Sequence, residues 1–221
     1  MPPVTKEAVV TTLNGWSDVE KSRTTRIYVG RDKNGCTVRK GTEAAFAWLM
    51  QQIHERVEPV DVANGHRTRA ENDFYKGARN SNHISGTAVD LNGGRHPYEA
   101  HQKGAWTSGF TAAQTAEIRK ILAEAGGLFA WGADFPRGKR DAMHFELAKG
   151  TTMADVQAFV SKIEEDEDMQ LSDEQMDKLA DLVARKVWGY KNVKVEPTRD
   201  AYAILRSTKG DTEHLVKEGR K

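Results

Sequence analysis

Ser81-Asn82-His83-Ile84-Ser85-Gly86-Thr87-Ala88-Val89-Asp90-Leu91 is the stretch that decides how this chain folds. In an extended strand side chains two apart share a face, so Gly86, Ala88 and Asp90 point one way and Thr87, Val89 and Leu91 the other. Val89 and Leu91 suit a core. Asp90 looks onto a face cleared by a hydrogen atom and a methyl group, and His83 enters just before the Ser85-Gly86 turn. Some fifty residues on, Asp141-Ala142-Met143-His144-Phe145-Glu146-Leu147 repeats the arrangement, with Met143, Phe145 and Leu147 on a core face and His144 and Glu146 on the other. Two strands that each bury one face and offer imidazole and carboxylate on the other are the raw material of a zinc site. Zinc in hydrolases takes three protein ligands of these types and keeps a fourth position open. His83, Asp90 and His144 fit that count, for one Zn2+ ion.

Working outward, Thr42 caps an expected helix whose Ala45, Phe46, Leu49, Ile53 and Val57 recur at steps of three and four until Pro59 interferes. Thr111 and Gln114 form a capping box ahead of Ile118, Ile121, Leu122 and Ala125, with Gly126 placed to end that helix. Thr152 opens a third, striped by Val156, Phe159, Val160 and Ile163. Short apolar or alternating segments at 60–62, 87–91 and 143–147 read as strands. The expected class is α+β: a small antiparallel sheet flanked by helices, with the zinc site on the sheet.

The chain has 221 residues and a formal net charge of +1, unevenly spread. Residues 1–163 hold 22 basic and 18 acidic side chains and the remainder 11 and 14, a mildly basic body with an acidic tail. Glu164 to Asp168 is an unbroken acidic run that a packed core would not accept, so the expected division is a catalytic domain over 1–163, an acidic linker over 164–170 and a small helical region over 171–221. In that last region Ser172 and Gln175 form another capping box before Met176, Leu179, Ala180, Val183 and Val187. One amphipathic helix cannot bury its own stripe, which leaves wall binding, self-association or a passive extension as its roles. Cys36 is the only cysteine, so no intrachain disulfide forms. The first ten residues lack the apolar stretch of a secretory signal and no run is long enough to span a bilayer, so membrane insertion is not expected. Nor is there a basic stripe with interleaved aromatics for nucleic acid.

A hydrolytic zinc site also needs a general base. Asp141 and Glu146 are the candidates. Asp141, three residues before His144, can approach a metal from the side and is preferred; Glu146 sits on the strand face with His144. A substrate carboxylate calls for a fixed donor fork, and Arg67 in Gly65-His66-Arg67-Thr68-Arg69 is the first choice, Arg69 the second. Ser81 either hydrogen-bonds near the ligands or caps the turn.

The pattern Ser81-x-His83-x-x-Gly86-x-Ala88-x-Asp90, followed by Asp141-x-x-His144-Phe145-Glu146, resembles the zinc peptidases that cut peptidoglycan stem peptides. That family includes D-Ala-D-Ala carboxypeptidases, D,D-dipeptidases and phage L-alanyl-D-glutamate endopeptidases. Phe129-Ala130-Trp131-Gly132-Ala133-Asp134-Phe135 is similar to the Gly-Phe-x-Trp-Gly segment of the phage members. The resemblance implies zinc on His83, Asp90 and His144, Asp141 as catalytic base, and Arg67 and Ser81 on the substrate side. It implies a phage endolysin, made in the host cytoplasm and acting on the bacterial cell wall, with L-Ala-D-Glu the expected bond and D-Ala-D-Ala the alternative. Two rivals come from other classes. One is an HNH-type nuclease built on His83, Asn92 and His96; the other is a non-catalytic wall-binding module that keeps its zinc for structure.

Overall fold

The structure is a computed structural model that describes residues 8–30 and 34–169. In chain order the elements are strands β1 (Thr24–Val29) and β2 (Asn34–Arg39), helix α1 (Glu43–Arg56), strand β3 (Ala63–Asn64), helix α2 (Arg69–Phe74), strand β4 (Ala88–Leu91), helix α3 (Ala112–Glu124), strands β5 (Phe129–Trp131) and β6 (His144–Leu147), and helix α4 (Met153–Met169). The chain parts into two compact units, Met1–Lys162 and Ile163–Lys221, and the first holds every described strand and the site below. The class is α+β, with all strand pairing antiparallel: a β1–β2 hairpin and a four-stranded sheet in the order β3-β4-β6-β5.

The helices follow the caps. Thr111 accepts from the Gln114 backbone N–H while the Gln114 side chain accepts from the Thr111 N–H, and Gly126 leaves the helix with φ +62°. Helix α1 buries Ala45, Phe46, Leu49, Met50 and Ile53. Thr42 ends up using its hydroxyl differently, donating it to the Arg39 carbonyl at 2.8 Å rather than capping the helix. The core lies between these helices and one face of the sheet: Phe46 meets Phe129 edge-on at 5.3 Å, and Trp131 stacks on Phe145 at 6.0 Å. Each such side chain contributes about 1.5–3 kcal/mol by leaving water. That anchors β4 and β6 through their inward residues.

The strand expected at 60–62 lies instead at Ala63–Asn64. Its polar backbone is satisfied by side chains: Val60 N–H donates to His54 Nδ1 at 3.0 Å, and the Asp61 and Val62 N–H groups both donate to Asn92 Oδ1, at 2.9 and 3.2 Å. With those donors engaged, no ladder forms until Ala63 pairs with Leu91. Helix α4 carries its backbone through Glu164 to Met169, so the acidic run up to Asp168 is helical. The region expected over 171–221 lies outside the described residues. No described helix is long and apolar enough to cross a membrane.

Gly86 turns the chain into β4 with φ +68°, and a Cβ there would sit 2.8 Å from the Arg39 nitrogen, whose N–H donates to the Gly86 carbonyl at 2.8 Å. Gly86→Ala should therefore destabilise the protein by about 1–3 kcal/mol through the left-handed backbone and the overpacking together. Urea unfolding measures it, and a loss within about 0.5 kcal/mol would contradict the close approach.

Candidate metal centre

Register builds the site. Strands β4 and β6 pair with Asp90 opposite His144 and Ala88 opposite Glu146, so one sheet face carries two carboxylates and an imidazole above a single methyl group. His83 reaches the same place from the preceding turn, where the Ser81 hydroxyl accepts its backbone N–H at 3.3 Å and its carbonyl accepts the Arg67 N–H at 3.2 Å. His83 Nε2 lies 3.1 Å from Asp90 Oδ1 and 3.2 Å from His144 Nδ1, and His144 Nδ1 lies 2.9 Å from Asp90 Oδ1. The three atoms form a small triangle. Its sides approach the ~3.3 Å edge of a tetrahedron with metal–ligand bonds of about 2.0 Å. Among the described residues this trio is the group of His, Cys, Asp and Glu side chains able to hold a metal ion.

The donor chemistry fits a cation. His83 Nδ1 is 2.8 Å from the Gly65 carbonyl, which can only accept, so Nδ1 carries the proton and Nε2 presents a lone pair. That lone pair faces the Asp90 carboxylate at 3.1 Å. Two acceptors aimed at one another in a buried site are stabilised by something positive between them. Burial pulls the His144 imidazole down, but the hydrogen bonds to Asp90 and Glu146 outweigh burial and raise it to about 10. Burial lowers His83 against the opposing pull of Asp90. Asp90 itself is pushed up by burial, yet the charge and hydrogen bonds of the two histidines hold it well below the ordinary carboxylate range. The directions of the two histidines follow the contacts, since His144 touches two carboxylates and His83 one.

Asp141 borders the trio. Its Oδ1 is buried with no hydrogen-bond partner among the described residues, and burial, with the Asp90 charge second, pushes its carboxyl up to about 6. Its placement depends on Gly132: the Asp141 N–H donates to the Gly132 carbonyl at 2.9 Å, and a Cβ at Gly132 would collide with the Asp141 carbonyl oxygen. The Arg67 guanidinium lies 3.8 Å from Asp90 Oδ2, and its Nε is buried with no hydrogen-bond partner among the described residues. Arg69, the second choice, is engaged elsewhere, pairing through Nε with Asp18 at 2.6 Å and donating to the Ala8 carbonyl. Ser81 serves the turn through its bond to the His83 N–H.

Glu146, the alternative base, does not face the convergence point. Its Oε2 is 2.8 Å from His144 Nε2, the nitrogen on the far side of the ring. Neither do the residues of the nuclease reading assemble. His96 Nε2 pairs with Glu58 at 2.9 Å and its ring stacks on Phe110, while Asn92 binds the backbone at Asp61 and Val62. Asn82, Asn14 and Gly65, whose polar groups support the site, escaped the sequence reading; none stands in a pattern that signals it in advance.

Residues 75–147 match the family model described as D-alanyl-D-alanine carboxypeptidase. That match takes in about a third of the chain, including His83, Asp90, Asp141, His144 and Glu146, and supports a zinc metallopeptidase of this family. No curated protein and no solved structure matches the chain.

An unfolded Asp titrates near ~3.9 while folded Asp141 is held up at about 6. Keeping it ionised therefore costs stability progressively as pH rises between those values, and the whole cost is present above about pH 6. Asp141→Asn should raise the melting temperature of the metal-free protein at about pH 7 and change it little at about pH 4. Equal shifts at both would mean that the carboxylate is not strained by its site.

Proposed function

We propose that the protein is a zinc-dependent peptidoglycan peptidase of the phage endolysin type, hydrolysing an amide bond of the stem peptide, with L-Ala-D-Glu the preferred bond. The observation that carries this reading is the convergence of His83 Nε2, Asp90 Oδ1 and His144 Nδ1 on one point, with a nearby Asp141 carboxylate oxygen that has no partner among the described residues. A zinc ion held by the three would supply Lewis acidity, polarising the scissile carbonyl and making water a stronger acid near neutral pH.

The chain's own groups do the rest. Asp141 accepts the proton of the attacking water as its oxygen bonds to the carbonyl carbon, and returns that proton to the amine nitrogen as the C–N bond breaks. A carboxyl raised toward neutrality is suited to both directions of transfer. Arg67, with a buried Nε and its guanidinium at the edge of the site, holds a substrate carboxylate and fixes the peptide's direction. In this reading the protein is made in the host cytoplasm, acts on the bacterial cell wall at host lysis, and carries in 171–221 an element for wall binding or self-association.

The family description favours a second reading within the same chemistry, removal of a terminal D-Ala by D-Ala-D-Ala carboxypeptidase action. Mass spectrometry of the fragments released from defined muropeptides separates the two. Asp141→Asn should keep zinc binding and lower hydrolysis by about 10²–10⁴-fold, and His144→Ala should lose both. Wild-type activity should fall on the acid side with a limb no higher than about 6, since Asp141 must be ionised to accept a proton. A purified zinc-loaded chain that leaves peptidoglycan intact would overturn the proposal.

A further inference from the structure

Resting on that metal reading, we infer that Glu146 is a positioning residue that decides through which ring nitrogen His144 meets the metal, and that Asn82 sets the Glu146 carboxylate for the task. The two histidines present opposite edges. His83 turns Nε2 to the convergence point and donates Nδ1–H to the Gly65 carbonyl at 2.8 Å, whereas His144 turns Nδ1 inward and donates Nε2–H to Glu146 Oε2 at 2.8 Å. A neutral imidazole holds one proton, and the nitrogen that is hydrogen-bonded to a fixed acceptor keeps it, which leaves the other free as a ligand.

Glu146 reaches that nitrogen because it lies two residues beyond His144 on the same face of β6, over the Ala88 methyl across the ladder. A larger residue at 88 would occupy the space. Asn82 Nδ2 donates to the same Oε2, and Asn82 Oδ1 accepts the Asn14 N–H at 3.0 Å. Asn14 in turn donates Nδ2 to Thr87 Oγ1 at 2.8 Å and to the Leu147 carbonyl at 3.2 Å. Asn14, Asn82, Thr87 and His144 are all buried, so this chain of bonds has little water to replace it. It ties an N-terminal loop to the orientation of one imidazole. Glu146 is accordingly not the base. Its working oxygen is committed to two donors on the side of the ring away from the ligand atoms.

The test measures zinc affinity by competition with a chromophoric chelator for the wild type, Glu146→Ala and Glu146→Gln, together with long-range ¹H–¹⁵N correlation spectra of the zinc-loaded proteins. Glu146→Ala should bind about 10–100-fold more weakly, and Glu146→Gln, whose amide oxygen still accepts from Nε2–H, should recover most of the loss. The wild-type spectra should show His144 protonated at Nε2 and bound through Nδ1, with His83 the reverse. Affinity in Glu146→Ala within about twofold of wild type, or His144 bound through Nε2, overturns the inference while leaving the metal reading standing. A wild type that binds no zinc overturns both. Should Glu146→Ala fail to fold, the wild-type spectra decide.

Discussion

The antiparallel pairing of β4 with β6 is the constraint on which everything else rests. It places Asp90 opposite His144 on one face and Val89 opposite Phe145 on the other. A slip by one residue would turn every side chain over, sending Phe145 and Leu147 toward solvent and the ligands into the core. Register is held from the apolar side, where Val89, Phe145 and Leu147 are fully buried and Trp131 stacks on Phe145. Core packing, not the polar cluster, therefore sets the geometry of the site. The apolar residues that alternate with the ligands hold the register, and the Gly65 carbonyl and Glu146 then meet the outward ring nitrogens.

That division explains which parts of the structure were legible in the sequence. The alternation around Asp90 and His144 is a period-two signal and both strands form; the Thr111–Gln114 box and the stripe of α1 are equally local and also appear. Hairpin β1–β2 was not read, because each strand buries only two apolar side chains, Ile27 with Val29 and Cys36 with Val38, too few to stand out against the charges between them. Helix α2 is six residues long and buries only Asn72, so it lacks an apolar stripe, although its Thr68–Glu71 capping box was present to be found. The strand expected at 60–62 is displaced because Asn92, thirty residues later, takes its backbone donors.

The site divides in the same way. His83, Asp90, His144, Asp141 and Arg67 carry their chemistry in their residue types; the structure brings the first three together, sets Arg67 3.8 Å from Asp90, and leaves Asp141 near enough to feel the Asp90 charge. Their supports are generic. A Gly65 carbonyl, an Asn82 amide and an Asn14 amide become informative only when the fold sets them at 2.8–3.2 Å from their partners. Gly132 is intermediate: it is visible in Trp131-Gly132, but its reason, the backbone of Asp141 lying where a Cβ would go, is tertiary.

Charge gives the last step. Asp90 and Glu146 bring two negative charges to a pocket whose imidazoles are neutral once each has given a lone pair inward, and a divalent ion would cancel them locally. His144, hydrogen-bonded to both Asp90 and Glu146, is raised against burial, while His83, beside Asp90 alone, is lowered by burial. Asp141 is a third carboxylate beside the same group, and Asp90's charge opposes its ionisation after burial has already done so. A cation placed between them would relieve that opposition. Asp90 thus acts in two directions: the charge that would help to hold a cation is the same charge that, after burial, raises the carboxyl of Asp141.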